Sequence, residues 1–193
     1  GGFPGGIEGR LTGPDGAPVP GIEVSLYEST GPGQWILSEF QSSASDGSFA
    51  LTELRPGAYT LGFRDWNQFF AFGYWGGHSR LSDALAIDVT DFTVPADATL
   101  EIGGRISGAL TDPAGSPLAN AMVFVHTFED DPQVLFISNP DPATGAYELG
   151  GLPTGDYIVQ FTGFQGLDSF NEYYDGVPTR HPFPQQNARP RDC

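Results

Sequence analysis

Histidine and cysteine side chains could do nucleophilic or acid–base chemistry in this chain, but their spacing does not form a catalytic group. His78, His126 and His181 are far apart, and none belongs to a Gly-x-Ser-x-Gly turn or a His-Glu-x-x-His pair. Cys193 follows a segment rich in proline and arginine, with no helix terminus to activate its thiol. We therefore expect the protein to have no enzymatic activity.

Acidic side chains offer oxygen ligands for calcium at two places. Glu129, Asp130 and Asp131 are consecutive, and Asp141 precedes Thr144 in a turn. Neither place has the Asp-x-Asp-x-Asp-Gly spacing that wraps one ion. We expect no cofactor, and calcium is the alternative.

Aromatic residues are concentrated in a segment that occurs twice, as residues 65–77 and 164–176. Exposed tryptophan and tyrosine rings can stack on sugar rings, and the candidates for such a carbohydrate or partner contact are Trp66, Tyr74, Trp75, Tyr173 and Tyr174. The alternative is that aromatic side chains fill the end of a small core, namely Phe69, Phe70, Phe72 and Tyr74. We favour the core interpretation, because both copies keep the same aromatic positions although their loops differ.

A longer repeat positions these segments. Residues 7–24 return as residues 106–123, with Ile7 matching Ile106 and Pro18 matching Pro117, an offset of 106 − 7 = 99 residues. This period suits one small β domain and is too long for a solenoid unit. We predict two domains, 1–103 and 104–176, followed by a Pro/Arg-rich tail, 177–193.

Apolar alternation and turn residues predict strands throughout the repeat. Ile22, Val24 and Leu26 alternate with polar residues, as in a half-buried strand, and Gly/Pro turns separate the apolar runs. We predict an all-β fold of two tandem Greek-key, Ig-like β-sandwiches. One helical turn, capped by Ser79, is predicted over residues 79–85.

The charge balance excludes several partners. The formal net charge is −16, with 24 acidic residues against 8 basic ones, and all 8 are arginine. Such a surface repels nucleic acid and anionic lipid, and no apolar run approaches the roughly 18 residues of a membrane span. We expect no nucleic acid partner, no membrane insertion and an extracellular location.

The motifs of both copies resemble those of carboxypeptidase regulatory-like domains and, more broadly, of collagen-adhesin B-type and transthyretin-like sandwiches. The first copy has Gly16 with Pro18, then residues 46–51 and 54–59; the second has Gly115 with Pro117, then residues 145–149 and 152–157. The resemblance implies non-catalytic modules of secreted or surface proteins. Some collagen-adhesin B-type domains carry a lysine isopeptide crosslink, which this chain cannot form because it has no lysine.

The two copies differ after the aromatic segment. Residues 85–90 and 99–102 predict closing strands for the first domain, whereas residues 177–193 predict none for the second. A sandwich without its edge strand could accept an extended segment from another chain. The alternative is that the sequence is cut within a longer array, and both interpretations stay open.

Assembly and carbohydrate binding are the two functions that these patterns favour. The first is a structural or adhesion module that forms a filament or surface coat through strand complementation and contact between its acidic body and basic tail. Its partners would be copies of itself or another surface protein, and the candidate contacts are Phe3, Arg180, Arg189, Arg191 and Cys193. The second is a carbohydrate-binding accessory module, with a polysaccharide as its partner.

Overall fold

The structure, a computed structural model, describes residues 2–129, 132–165 and 168–174. Strands account for the regular structure of these residues apart from one 3-10 helix, Leu81–Asp83. This helix lies where a helical turn is predicted, but the predicted Ser79 cap is wrong. The residue before the helix is Arg80, which is extended and makes no side-chain capping bond.

The chain divides into two compact units, Gly1–Ile106 with Gly150–Gly155 and Ser107–Leu149 with Asp156–Cys193. The domain boundaries inferred from the sequence, at 103/104 and 176/177, stay a prediction.

Nine strands lie in the first unit. They are β1 (Gly5–Thr12), β2 (Glu23–Gly31), β3 (Gln34–Ser42), β4 (Ser48–Leu54), β5 (Gly57–Arg64), β6 (Gly73–Tyr74), β7 (Ile87–Val89), β8 (Thr93–Pro95) and β9 (Ala98–Thr99).

These strands form two sheets. In the first sheet β1 is central, with β4 antiparallel on one edge and β8 and β9 parallel on the other. The second sheet has the order β3-β2-β5-β6, and β7 pairs with β5 beside β6. β1 can turn one face inward because Ile7 and Leu11 are an even number of positions apart and lie on the same face of the sheet.

An apolar core lies between the two sheets of the first unit. Ile7 and Leu11 from β1, Val24 and Leu26 from β2, and Leu61 from β5 are all fully buried. This is the alternation that the sequence predicts for the second strand. The prediction of an all-β sandwich fold is confirmed.

The other six strands are β10 (Gly104–Ala109), β11 (Ala121–Thr127), β12 (Val134–Ser138), β13 (Ala146–Leu152), β14 (Tyr157–Gln165) and β15 (Asp168–Tyr173). One sheet has the order β12-β11-β14-β15, and β10 pairs with β13. Val123, Val125 and Leu149 are fully buried. Val24 and Leu26, which match the two valines, are fully buried as well, and Leu51, which matches Leu149, is buried.

Turns repeat between the copies as well as strands. The N–H of Val19 donates to the carbonyl of Leu11 at 2.9 Å, and the N–H of Leu118 donates to that of Leu110 at 3.0 Å. A ring pair also repeats, because Phe49 meets Phe63 edge to face and Tyr147 meets Phe161 in the same way. β10 is therefore the structural counterpart of β1, and β13 that of β4.

Candidate functional site

A buried carboxylate organises the aromatic loop that follows β5. Asp65 is 6% exposed, and its carboxylate accepts the backbone N–H groups of Asn67, Phe69 and Phe70 at 2.8, 3.0 and 3.1 Å. Three such bonds fix the loop backbone and thereby the positions of its aromatic rings. Asp65 was not singled out from the sequence, although an Asp whose side chain accepts the backbone N–H two residues later is a familiar turn signal.

Trp66 is exposed, but its ring is already engaged. Its Nε1–H donates to Oε2 of Glu23 at 3.0 Å, and the Arg64 guanidinium lies 5.0 Å from the ring centroid. The same guanidinium lies 5.6 Å from the ring of Phe72. A cation over one face of an indole reduces the area that a sugar could stack on.

Tyr74 and Trp75 lie together on the wall of a cavity of about 600 Å³, which is open to solvent. The apolar residues Leu85 and Ile102 and the acidic residues Asp97 and Glu101 also line the cavity, whereas Trp66 does not. Of the three aromatic candidates in this unit, the structure therefore brings Tyr74 and Trp75 together at the cavity and places Trp66 outside it.

The side chains of Tyr74 and Trp75 also belong to the structure of the unit. Trp75 is partly buried against the apolar core, and Tyr74 meets Tyr27 edge to face, with ring centroids 6.2 Å apart. Burial raises the pKa of both tyrosine hydroxyls. Phe72 is buried and Phe70 packs on the core, whereas Phe69 is exposed. Residues 65–77 thus contribute side chains both to the apolar core and to the cavity wall.

Tyr173 and Tyr174 belong to the second unit. Tyr173 ends β15, and Tyr174 is exposed, with its N–H donating to the carbonyl of Val159 at 3.0 Å. Tyr173 pairs with Gln160 across the β14–β15 ladder. Their assignment as a carbohydrate or partner contact stays a prediction.

Of the candidates for assembly, only Phe3 is among the described residues, and its side chain is 49% exposed. Arg180, Arg189, Arg191 and Cys193 lie outside the described residues, as do His181 and the whole predicted tail. Their roles stay predictions.

The turn around Asp141 uses its carboxylate internally. Oδ1 of Asp141 accepts the hydroxyl of Thr144 at 3.0 Å and the N–H groups of Ala143 and Thr144 at 2.9 Å. The hydroxyl bond, followed by the N–H bonds, lowers the pKa of this carboxyl. Asp130 and Asp131 lie outside the described residues, so the calcium alternative stays a prediction.

The outer edge of β1 is closed by residues 93–100, which we call the covering segment. The N–H of Ala96 donates to the carbonyl of Glu8 at 2.7 Å, and that of Leu100 to the carbonyl of Thr12 at 2.7 Å. Between them the N–H of Arg10 donates to Oδ1 of Asp97 at 2.8 Å. The covering segment therefore satisfies the backbone of β1 and keeps its apolar residues from water.

The corresponding edge of β10 is open over the part of the chain that the structure describes. β13 pairs with one edge, and no described strand pairs with the other. Ile106 and Leu110 are half-buried, whereas the matching Ile7 and Leu11 are fully buried. Identical or similar side chains thus differ in burial, since residues 93–100 cover β1 and no described strand covers the matching edge of β10.

Within residues 2–129, 132–165 and 168–174, no helix has the length and hydropathy needed to cross a membrane.

No family model and no curated protein matches the chain, so the resemblance to carboxypeptidase regulatory-like domains stays a prediction. Among solved structures, the TIE protein of Bacillus anthracis is 16% identical over 88% of the chain, with a TM-score of 0.38. A streptococcal ancillary pilin is 12% identical over 88% of the chain, with a TM-score of 0.42.

GBS52, the minor pilin of Streptococcus agalactiae, is 13% identical over 95% of the chain and 99% of its own length, with a TM-score of 0.36. The chain spans only 31% of the TIE protein and 58% of the ancillary pilin. The chain is similar to these three proteins at no more than 16% identity.

Proposed function

We propose that this chain is a non-catalytic structural module of a cell-surface assembly that grows by strand complementation at the open edge of β10. The observation that supports this proposal is the difference in burial between β1 and β10. Ile7 and Leu11 are fully buried beneath a covering segment, and their counterparts Ile106 and Leu110 remain half-buried.

An open strand edge favours association for two physical reasons. Its unpaired N–H and C=O groups can form a ladder with an incoming segment. The half-buried side chains also lose contact with water when that segment binds along the edge. The edge of one molecule would meet a different surface of the next. A heterologous contact of this kind propagates into a filament unless the rotation closes a ring.

Charge would guide the same head-to-tail contact. The chain carries a formal net charge of −16, while three of its eight basic residues, Arg180, Arg189 and Arg191, lie in the tail. In the proposed assembly the tail of one copy lies against the acidic body of the next. Such a contact weakens as salt is raised, because exposed charges are screened.

Light scattering and electron microscopy of the full chain test the proposal. We expect the mean particle mass to rise with protein concentration and elongated particles to form, both lost on deletion of residues 177–193 or in Ala109→Pro. Proline removes one N–H at the open edge, where sheets tolerate it. Ala109→Ser keeps the N–H and should assemble normally. A chain that stays monomeric at all concentrations would contradict the proposal.

A second candidate function, carbohydrate binding, is supported by the cavity that holds Tyr74 and Trp75. The aromatic wall could stack on a sugar ring, and the acidic lining residues Asp97 and Glu101 could accept hydrogen bonds from its hydroxyl groups. A glycan array tests this function. We expect a hit that disappears in Trp75→Ala and persists in the control Trp66→Ala, because Trp66 does not line the cavity. No hit on any polysaccharide would remove this candidate.

A further inference from the structure

The covering segment of the first copy shows what kind of peptide closes this type of edge. β8 runs parallel to β1, with Thr93 opposite Gly6 and Pro95 opposite Glu8, and β9 continues with Ala98 opposite Leu11. Val94 and Ala98 pack against the core, while Ala96 and Leu100 are buried. The segment therefore presents apolar side chains at alternate positions to the core.

A short break in the ladder, without a change of register, separates the two pieces of the covering segment. Between β8 and β9 the backbone of Ala96 folds in toward Gly9, where any Cβ would collide with the Ala96 carbonyl. The carboxylate of Asp97 then takes the bond from Arg10 N–H that a regular ladder would give to a backbone carbonyl. A closing peptide thus needs a small residue and, directly after it, a side-chain acceptor.

β10 has the groups that such a peptide would meet. The 99-residue offset matches Gly9 with Gly108, and Arg10 with Ala109. It also matches the carbonyls of Glu8 and Thr12, which accept bonds from the covering segment, with those of Ser107 and Thr111. Gly108, like Gly9, has no Cβ, and it lies at the position where the covering backbone has to approach most closely.

One side chain distinguishes the second copy. Tyr147 stands where Phe49 stands in the first copy, and a Cβ at Gly108 would lie 2.7 Å from the Tyr147 hydroxyl. A Cβ built at Gly9 would instead meet the backbone of Ala96. The tip of Tyr147 thus lies on the side of the glycine that the covering segment occupies in the first copy.

We propose that the open edge of β10 binds an extended segment of another polypeptide, in parallel orientation, with the residue chemistry of residues 93–100. That chemistry is an apolar residue, proline, a small residue, a side-chain acceptor, a second small residue and a closing apolar residue two positions later. This inference rests on the proposed function and deepens it by naming what the edge accepts. The backbone of the small residue that matches Ala96 displaces the Tyr147 hydroxyl from Gly108.

A labelled synthetic peptide of residues 91–102, titrated into the full chain, tests the inference by fluorescence anisotropy. We expect saturable binding that weakens about tenfold or more in Ala109→Pro and is unchanged in Ala109→Ser. Tyr147→Phe, which restores the residue type of the first copy, should bind the peptide more tightly. A control peptide with Val94→Asp and Leu100→Asp should not bind.

If Ala109→Pro does not fold, Gly108→Ala in the Tyr147→Phe background is the second blocking variant. Its Cβ occupies the space that the carbonyl of the peptide's Ala96 needs beside residue 108. Absence of binding by both the wild-type chain and Tyr147→Phe would overturn the inference. Binding that resists both blocking variants would do the same. So would binding that appears only after residues 175–193 are removed, since the chain's own segment would then be the occupant.

The peptide titration and the assembly measurement fail independently. A chain that forms large particles but ignores the peptide would refute this inference and leave the proposed function standing. A chain that binds the peptide through β10 but never forms particles would refute self-assembly and support the edge as a site for a different protein.

Discussion

The carboxylate of Asp97 accepts the backbone N–H of Arg10 at 2.8 Å, where a regular β-ladder would supply a carbonyl oxygen. A side chain thus completes the pairing of β1 across the break between β8 and β9. The matching N–H in the second copy belongs to Ala109, at the edge that no described strand covers. This difference underlies both proposals.

Asp97→Ala should destabilise the first unit by about 1 kcal/mol or more, because the Arg10 N–H loses its acceptor. Asp97→Asn keeps a carbonyl oxygen at that place and should cost clearly less. Urea denaturation of the two variants checks the prediction. Equal losses in the two variants would show that the negative charge, and not the acceptor, matters.

Glu53 and Gly151 occupy matching places before Leu54 and Leu152, and both have positive φ, 60° and 71°. Glu53→Gly should therefore stabilise the first unit by about 0.5–1 kcal/mol, since glycine adopts this conformation without strain. Gly151→Ala should destabilise it by about 1–2 kcal/mol, because its Cβ would also lie 3.0 Å from the carbonyl oxygen of Phe70. Thermal unfolding of both variants measures the sign of each change in stability. Changes of the same sign in both variants would refute this explanation.

Asp65→Ala should cost about 2–3 kcal/mol, because three loop N–H groups lose their buried acceptor. The tryptophan emission should change as well, since the loop carries Trp66. Chemical denaturation followed by fluorescence checks both effects. Asp88→Ala, on the exposed side of β7, is the matched control and should be nearly neutral. A loss as large in the control would mean that charge alone is responsible.

The stability of the second unit should fall at high pH. Burial raises the pKa of Tyr157 to about 12, so the folded chain holds this proton more tightly than the unfolded chain does. The contribution is fully present below about pH 10 and is lost as the pH rises through about 12. We expect a loss of about 1–2 kcal/mol, reduced from the full shift because the ring is partly solvated.

Denaturation at pH 9 and at pH 11.5 measures this loss, and Tyr157→Phe should reduce it without abolishing it. Burial also raises the pKa of other tyrosines, Tyr147 among them. An unchanged pH dependence in Tyr157→Phe would assign the loss to those residues instead.

Local patterns made the sandwich fold predictable. Alternation at Ile22, Val24 and Leu26 reports a strand with one buried face, and two such copies identify the repeat without any tertiary information. The core interpretation of the aromatic segment agrees with the burial of Phe72 and the packing of Phe70, whereas Phe69 is exposed. The carbohydrate contact through Trp75 stays a prediction.

Tertiary contacts decided what the sequence could not predict. Residues 93–99 form two short parallel strands because Ala96 fits over Gly9 and Asp97 reaches Arg10, and neither contact leaves a local pattern. Pro95 even argues against a strand at this place. The engagement of Trp66 by Glu23 and Arg64 likewise depends on a pairing between distant strands.

Amide hydrogen exchange at Arg10 and Ala109 directly tests strand complementation at β10, because it reports the two matching edges in one molecule. At low concentration, where the chain is monomeric, we expect slow exchange at Arg10 and fast exchange at Ala109. In assembled particles, or with the peptide of residues 91–102 bound, Ala109 should become as protected as Arg10. Equal protection of the two amides in the monomer, or fast exchange at Ala109 in the assembled particles, would contradict it.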